Sequence, residues 1–254
     1  MNATTDDMTT DTMLATYPPR ADATRNFIAF GVLMACLVAV HFVLALKPDA
    51  AKSVAQAAVF SWTALAIIGA VGFVSTWFLN RTRLRGLWDP ELTLAARAGW
   101  PAFVGFGIGC AVTAIDMGTG WSQVMAQQMH LDTIHIAWPL SVPIYFGGAI
   151  LVTIIYYYFL LPFIAWLIAG KLLKGRHEPV VFWIVGGPLA LVEPATQGSF
   201  SAIPQHGWVA VCGAVGDVVM NLTQVWFLRR AGLVASATVR IGFYAMWHVI
   251  YGLL

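Results

Sequence analysis

The sequence predicts an all-α protein, a polytopic bundle of six to seven transmembrane helices, from two observations. First, 59% of the 254 residues are hydrophobic and only 10% are charged, whereas a soluble domain carries about 25% charged residues. Second, several uncharged apolar runs are long enough to cross the hydrocarbon core, which requires about 20 residues. Helices that are apolar on every side are rare in soluble proteins, and the runs lack the alternation of barrel strands.

Seven apolar runs are the candidate spans, and the fifth of them is the shortest. They cover residues 26–46, 56–80, 99–115, 136–170, 179–192, 207–228 and 241–254. The sixth run contains the one charged residue among them, Asp217. Because the fifth run falls short of a full span, the number of helices is predicted as six or seven. The polar residues 1–24 are predicted to form a flexible tail, and residues 25–254 a single transmembrane domain.

Basic residues cluster in alternate loops of this predicted bundle, which bears on its orientation. The groups are Arg20 with Arg25, Arg81 with Arg83 and Arg85, Lys171 with Lys174 and Arg176, and Arg229 with Arg230. An up-and-down path places all four groups on one face, and basic loops favour the cytoplasmic side. The sequence therefore predicts an integral protein of the bacterial inner membrane, in contact with lipid, with the remaining loops on the periplasmic face. A net charge of +2 gives no indication of a nucleic-acid partner.

The segment between the third and fourth spans carries side chains that could bind a metal. Asp116 ends the third run, and His130, Asp132 and His135 precede the fourth. Ionisable groups are costly near lipid and therefore often mark function, and Asp and His are ligands for copper, zinc or iron. A second interpretation stays open, in which Asp132 caps the fourth helix and the histidines are simply solvated.

A second polar segment, residues 193–208, lies before the sixth span. Its Glu193 and His206 could be metal ligands, but its two prolines are equally typical of a loop that turns back into the membrane. Within the sixth span, Asp217 is predicted to face the bundle interior, more often as a helix–helix hydrogen bond than as part of a proton path.

Isolated histidines and missing motifs narrow the remaining possibilities. His41 and His248 each lie alone in an apolar run and are interpreted as packing residues. The sequence has no Walker A, GxSxG or HExxH motif. A self-contained ATPase, serine hydrolase or zinc protease is therefore unsupported.

Short motifs between about residues 55 and 230, roughly two-thirds of the chain, form an ordered series. They are Ser61-Trp62-Thr63, Trp77 to Arg83, Asp116 with Gly118-Thr119-Gly120-Trp121, Thr133-Ile134-His135, Val142 to Tyr145, Gly187-Pro188 and Ile203 to Val209. In order, spacing and membrane setting, this series resembles the C subunit of the copper membrane monooxygenases. That family includes the particulate methane, ammonia and short-chain hydrocarbon monooxygenases.

The resemblance implies copper and assigns residues to it. In the family, one site uses an Asp, a His four residues later and a second His thirteen beyond. His135 corresponds to the last of these by its distance from Trp121, Asp116 lies close to the place of the first, and Ser122 stands where the middle histidine is expected. A second family site ends in a histidine to which His206 corresponds. The metal residues that the resemblance implies are therefore Asp116, His135 and His206.

The function that the resemblance implies is that of a membrane subunit in a copper-dependent monooxygenase. Such a complex contains A, B and C subunits, assembled as a trimer of heterotrimers, and hydroxylates methane, ammonia or a short-chain hydrocarbon with O2. A quinol-type donor supplies the electrons. Two alternatives without metal remain, a non-catalytic assembly subunit and a small transporter-like protein.

Overall fold

A computed structural model describes residues 22–47, 55–82 and 84–254, and these ranges contain helices and no strands. The spans are α1 (Ala23–Ala45), α2 (Trp62–Leu79), α3 (Ala95–Thr119), α5 (Ser141–Leu172), α6 (Glu178–Thr196), α8 (Trp208–Ala231) and α9 (Leu233–Leu253). Two short helices, α4 (Trp121–Gln128) and α7 (Ile203–His206), lie between them. Seven described helices are thus long and apolar enough to cross a membrane, which confirms the predicted all-α membrane bundle.

The helix limits differ from the predicted runs at several places; α9, for example, begins at Leu233, eight residues before the start of the seventh run. α1 begins at Ala23, where the Asp22 side chain accepts a hydrogen bond from the Thr24 amide, so the last two residues of the predicted tail are helical. α6 runs on to Thr196 through Pro188 and Pro194, because neighbouring helices can compensate for prolines within a membrane helix. The interpretation of Glu193 as a loop residue is therefore wrong. Most of the predicted tail, with Arg20, lies outside the described residues, as does Arg83.

The links between successive spans lie alternately at the two ends of the bundle. One end, here called the basic end, holds the start of α1 and the links between α2 and α3, α5 and α6, and α8 and α9. Its basic side chains include Arg25, Arg81, Arg85, Lys171, Lys174, Arg229 and Arg230. The opposite end, here called the site end, holds the links from α3 to α5 and from α6 to α8. Every metal residue implied by the resemblance lies toward the site end.

The outer surface of the bundle is apolar, as a lipid-facing surface must be. Ile28, Val32, Phe73, Phe103 and Ile184 each expose more than half of their surface. Large aromatic and aliphatic side chains such as Tyr157, Tyr158, Phe182 and Leu161 are instead fully buried between the helices. The polar side chains described next lie in this interior, between the helices.

Glycines bring the site-forming helices into close contact. A Cβ atom on Gly105 of α3 would lie 1.8 Å from the Val239 carbonyl oxygen of α9, and one on Gly242 of α9 would lie 2.0 Å from the Ala102 carbonyl oxygen. Small residues allow membrane helices to approach at backbone distance. On α8, a Cβ on Gly213 would lie 2.0 Å from the Trp121 ring. α3, α4, α8 and α9 are therefore held together around the site end.

Candidate functional site at one end of the bundle

Asp116 is buried in the last turn of α3 and holds the beginning of α4. The chain leaves α3 at Gly120, which has a φ of 70° and donates its amide hydrogen to the Asp116 carbonyl oxygen at 2.7 Å. The Asp116 carboxylate then accepts hydrogen bonds from the Ser122 amide at 2.5 Å and the Ser122 hydroxyl at 2.7 Å. A carboxylate at this position also complements the positive end of α4. Asp116 is therefore fixed by the helix that follows it.

Tyr251 of α9 supplies a third donor to the same carboxylate. Its hydroxyl lies 2.7 Å from Asp116 Oδ2. The contact joins two residues that are 135 positions apart in the chain. The three hydrogen bonds leave the Asp116 carboxylate well satisfied without a metal ion.

His135 lies beside Tyr251, in the segment that enters α5. Its ring packs edge-on against Trp247, His248 and Tyr251, at centroid distances of 5.4, 5.4 and 5.5 Å. Both ring nitrogens are buried, and neither has a hydrogen-bond partner among the described residues. Unpaired nitrogens in such a place are unusual because buried polar groups are nearly always hydrogen-bonded.

Burial also sets the charge state of His135. Loss of hydration disfavours the imidazolium form and lowers the pKa of His135 below its ordinary value of 6.5. The nearby Asp116 carboxylate opposes this effect in part. At neutral pH the ring is therefore an uncharged imidazole, which is the form that binds metals.

The structure thus brings together two of the three metal residues that the resemblance implies. Asp116 and His135 meet at Tyr251, which donates a hydrogen bond to one and packs against the other. His206 is the last residue of α7 and is half-buried, and no described contact joins it to either. His130, another candidate ligand of this segment, is exposed. Within the described ranges, no three His, Cys, Asp or Glu side chains stand ready to hold a metal ion.

His248 is a part of the site that the sequence interpretation missed. The sequence indicates an isolated packing histidine at this position, but the His248 ring contacts His135 and stacks on Tyr145 at a centroid distance of 4.1 Å. The available signal was a stripe of polar residues on α9, Arg240, Tyr244, His248 and Tyr251, spaced by four, four and three positions. This spacing places all four on one helical face.

Arg240, also missed, is fully buried at the inner end of that stripe. Its guanidinium pairs with both carboxylate oxygens of Glu193, in one case at 2.6 Å. It also donates to Asn221 at 2.5 Å, to Gln224 at 2.9 Å and to the Tyr244 hydroxyl at 3.0 Å. Glu193 is therefore committed to an ion pair and is not available as a metal ligand, which corrects that sequence interpretation.

Asp217 faces the bundle interior, as predicted. Its hydrogen-bond partner differs from those of Asn221 and Gln224 on the same helix, α8. Its Oδ2 accepts a hydrogen bond from the Ser199 hydroxyl at 2.6 Å. Asn221 and Gln224 are instead bonded to Arg240. Asp217 thus lies beside the ion pair without a direct bond to its cation.

A cavity of about 490 Å³ opens between these groups. Trp121, Met125, Ile144, Leu151 and Trp247 form much of its apolar wall. Its polar lining comprises Gln197, Ser199, Asp217, Tyr244 and His248. The volume lies in the range of small-molecule pockets, roughly 300–1,000 Å³.

No family model, curated protein or solved structure matches this chain.

Proposed function

We propose that the protein is a membrane subunit of a copper-dependent monooxygenase complex of the bacterial inner membrane, which hydroxylates methane, ammonia or a short-chain hydrocarbon with O2. The motif series suggests the family, and one structural observation carries the proposal. Asp116 and His135, 19 positions apart, converge against α9, and His135 keeps both ring nitrogens buried and without a described partner. The A and B subunits and a quinol-type electron donor are part of the same proposal.

Among the residues present, the imidazoles of His135 and His248 are better suited to bind copper than the carboxylate of Asp116. Neutral imidazole is a suitable copper ligand, and His135 offers two free nitrogens while His248 lies against it. Asp116 already accepts three hydrogen bonds, so it would orient the site through Tyr251 or exchange one of these donors for the metal. His206 would belong to a separate second site. Bound copper would supply O2 activation.

The surroundings of His135 suit oxidation of an unreactive substrate. Trp247 and Tyr251 cover the ring, and Trp121 lines the cavity nearby. Apolar walls exclude water and limit side reactions of activated oxygen. The Tyr251 hydroxyl donates a hydrogen bond to the Asp116 carboxylate, so the charge of this carboxylate is compensated where it faces the apolar space.

We expect His135→Ala to lower the copper content of the purified complex by about one ion per copy of this chain, because the imidazole would lose its place in the copper shell. Elemental analysis of the complex would measure this. His177→Ala is the matched control, since His177 is exposed at the basic end. The same measurement on His206→Ala tests the second site separately.

Unchanged copper content and full oxidation activity in His135→Ala would reject copper at this position. It would favour the second candidate, a non-catalytic assembly subunit. One observation supports that candidate: Ser122 and Tyr251 together satisfy the Asp116 carboxylate with hydrogen bonds. In that case Tyr251→Phe would weaken assembly of the complex and leave copper unaltered.

A further inference from the structure

The charges around the cavity at the site end do not balance. Arg240 and Glu193 form a bidentate pair and cancel each other. Asp217 lines the cavity beside them, and its described hydrogen bond, from Ser199, comes from a neutral group. No Lys or Arg is among the residues that line the cavity. The cavity wall is therefore one negative charge in excess when Asp217 is ionised.

An ionised carboxylate in an apolar interior is stabilised by a cation placed beside it. Buried charges are costly unless they are paired, and proteins normally provide the partner. Here the nearest cation, Arg240, directs its donors to Glu193, Asn221, Gln224 and Tyr244. The second oxygen of Asp217, Oδ1, accepts no hydrogen bond from the described residues. It is therefore free to receive a donor from a molecule in the cavity.

The walls of the cavity suit an organic cation. Trp121, Tyr145, Tyr244 and Trp247 all contribute to the lining, and aromatic faces attract ammonium groups. The rings of this wall pack on one another: His248 stacks on Tyr145 at 4.1 Å and packs edge-on against Tyr244 at 4.9 Å. Aliphatic side chains, including Met125 and Leu151, complete the cavity and would receive a hydrocarbon chain.

We infer that this cavity is a binding site for a small organic monocation, a short-chain alkylammonium whose nitrogen pairs with Asp217 beside the aromatic wall and whose chain lies against the aliphatic side chains. A single carboxylate specifies one positive charge. With no lining Lys or Arg to receive an acid group, amino acids and other zwitterions fit poorly. A bare metal ion fits poorly too, because the cavity offers one carboxylate and no second acid as ligand.

The inference does not depend on the proposed copper chemistry. The residues that carry it, Asp217 and the aromatic wall, are different from Asp116 and His135. His135→Ala is therefore expected to lose copper but to keep the affinity for an alkylammonium. A protein that binds the alkylammonium but no copper would refute only the proposed function, and one that binds copper but no alkylammonium would refute only this inference.

Isothermal titration of the purified protein in detergent at pH 7.5 tests the inference. The probes are n-butylammonium, n-butanol and butyrate, which share one chain and differ in the charge of the head group. We expect n-butylammonium to bind at least about tenfold more tightly than n-butanol, a difference of about 1.4 kcal/mol. Asp217→Asn should remove that difference, because the amide carries no negative charge to pair with the ammonium group. Butyrate should not bind. Equal binding of the amine and the alcohol, or an unaltered amine affinity in Asp217→Asn, would overturn the inference.

A second variant blocks the cavity without altering Asp217. Gly148 lines the cavity, and a Cβ atom there meets no other atom within 4 Å, so Gly148→Leu can extend into the space. We expect it to abolish n-butylammonium binding. Gly107→Leu is the matched control, because Gly107 is also open to a Cβ atom but lies on the exposed face of α3. If Gly148→Leu binds the amine as well as Gly107→Leu does, the cavity is not the site.

Discussion

Replacing Arg240 by Met is expected to lower the free energy of unfolding by about 3–5 kcal/mol, because it leaves Glu193 buried without its cation. Both partners are almost completely buried, with side-chain exposures of 1% and 3%. The change also removes the donors that satisfy Asn221 and Gln224. Denaturant unfolding of the purified protein in mixed micelles would measure the loss.

Two further variants separate charge from packing. The double variant Arg240→Met with Glu193→Leu should recover much of the lost stability, since replacing a whole buried pair by apolar residues is often neutral. Arg25→Met is the matched surface control. Arg25 pairs with Asp22 at 3.3 Å, and both side chains are about half exposed, so its loss should cost under about 1 kcal/mol. A single variant Arg240→Met as stable as Arg25→Met would contradict the assigned ion pair.

Gly105→Ala is expected to cost about 1–3 kcal/mol or more and to disturb the site, because the added Cβ atom overpacks the interface of α3 and α9. The atom in its way is the Val239 carbonyl oxygen, 1.8 Å from the ideal Cβ position. Backbone cannot rotate aside like a side chain, so the helices would have to separate. Because α9 carries His248 and Tyr251, both the stability and the copper content should fall.

Gly107→Ala provides the comparison for this prediction. It lies half a helical turn from Gly105, where a Cβ atom meets no other atom within 4 Å. Alanine is a better helix former than glycine by up to about 1 kcal/mol, so this variant should be as stable as the parent or slightly more so. Equal stability of the two alanine variants would show that α3 and α9 do not approach at Gly105.

The fold could be predicted from the sequence because helices that cross a membrane consist of long runs of apolar residues. Runs of about 20 apolar residues have few other uses, and the seven runs fall on the seven described spans. The least certain run was extended by four residues at its end, Glu193 to Thr196, because Glu193 finds its partner on another helix. A polar residue near the end of a predicted helix, such as Glu193, suggests a loop as long as its partner Arg240 is not known.

The site was predictable only where its residues are near in sequence. Asp116, Ser122 and His135 belong to one connecting segment, and the motif spacing drew attention to it. Arg240 lies 47 positions from Glu193, and Tyr251 lies 135 positions from Asp116. No local pattern specifies such pairs. The polar stripe on α9 is visible in the sequence, but Arg240 lies just before the seventh run, and His248 alone resembles an isolated packing residue.

The stripe on α9 has a mechanical consequence. Arg240 and Tyr251 lie 11 positions apart, so along a helix that rises about 1.5 Å per residue they are separated by roughly 16 Å. Each is bonded to a carboxylate on a different helix, Glu193 of α6 and Asp116 of α3. These two attachments fix the register of α9: a slip or rotation by one residue would turn all four stripe residues away from their partners at once. The Arg240–Glu193 ion pair therefore fixes the position of α9, and with it the place at which the imidazole of His248 contacts His135.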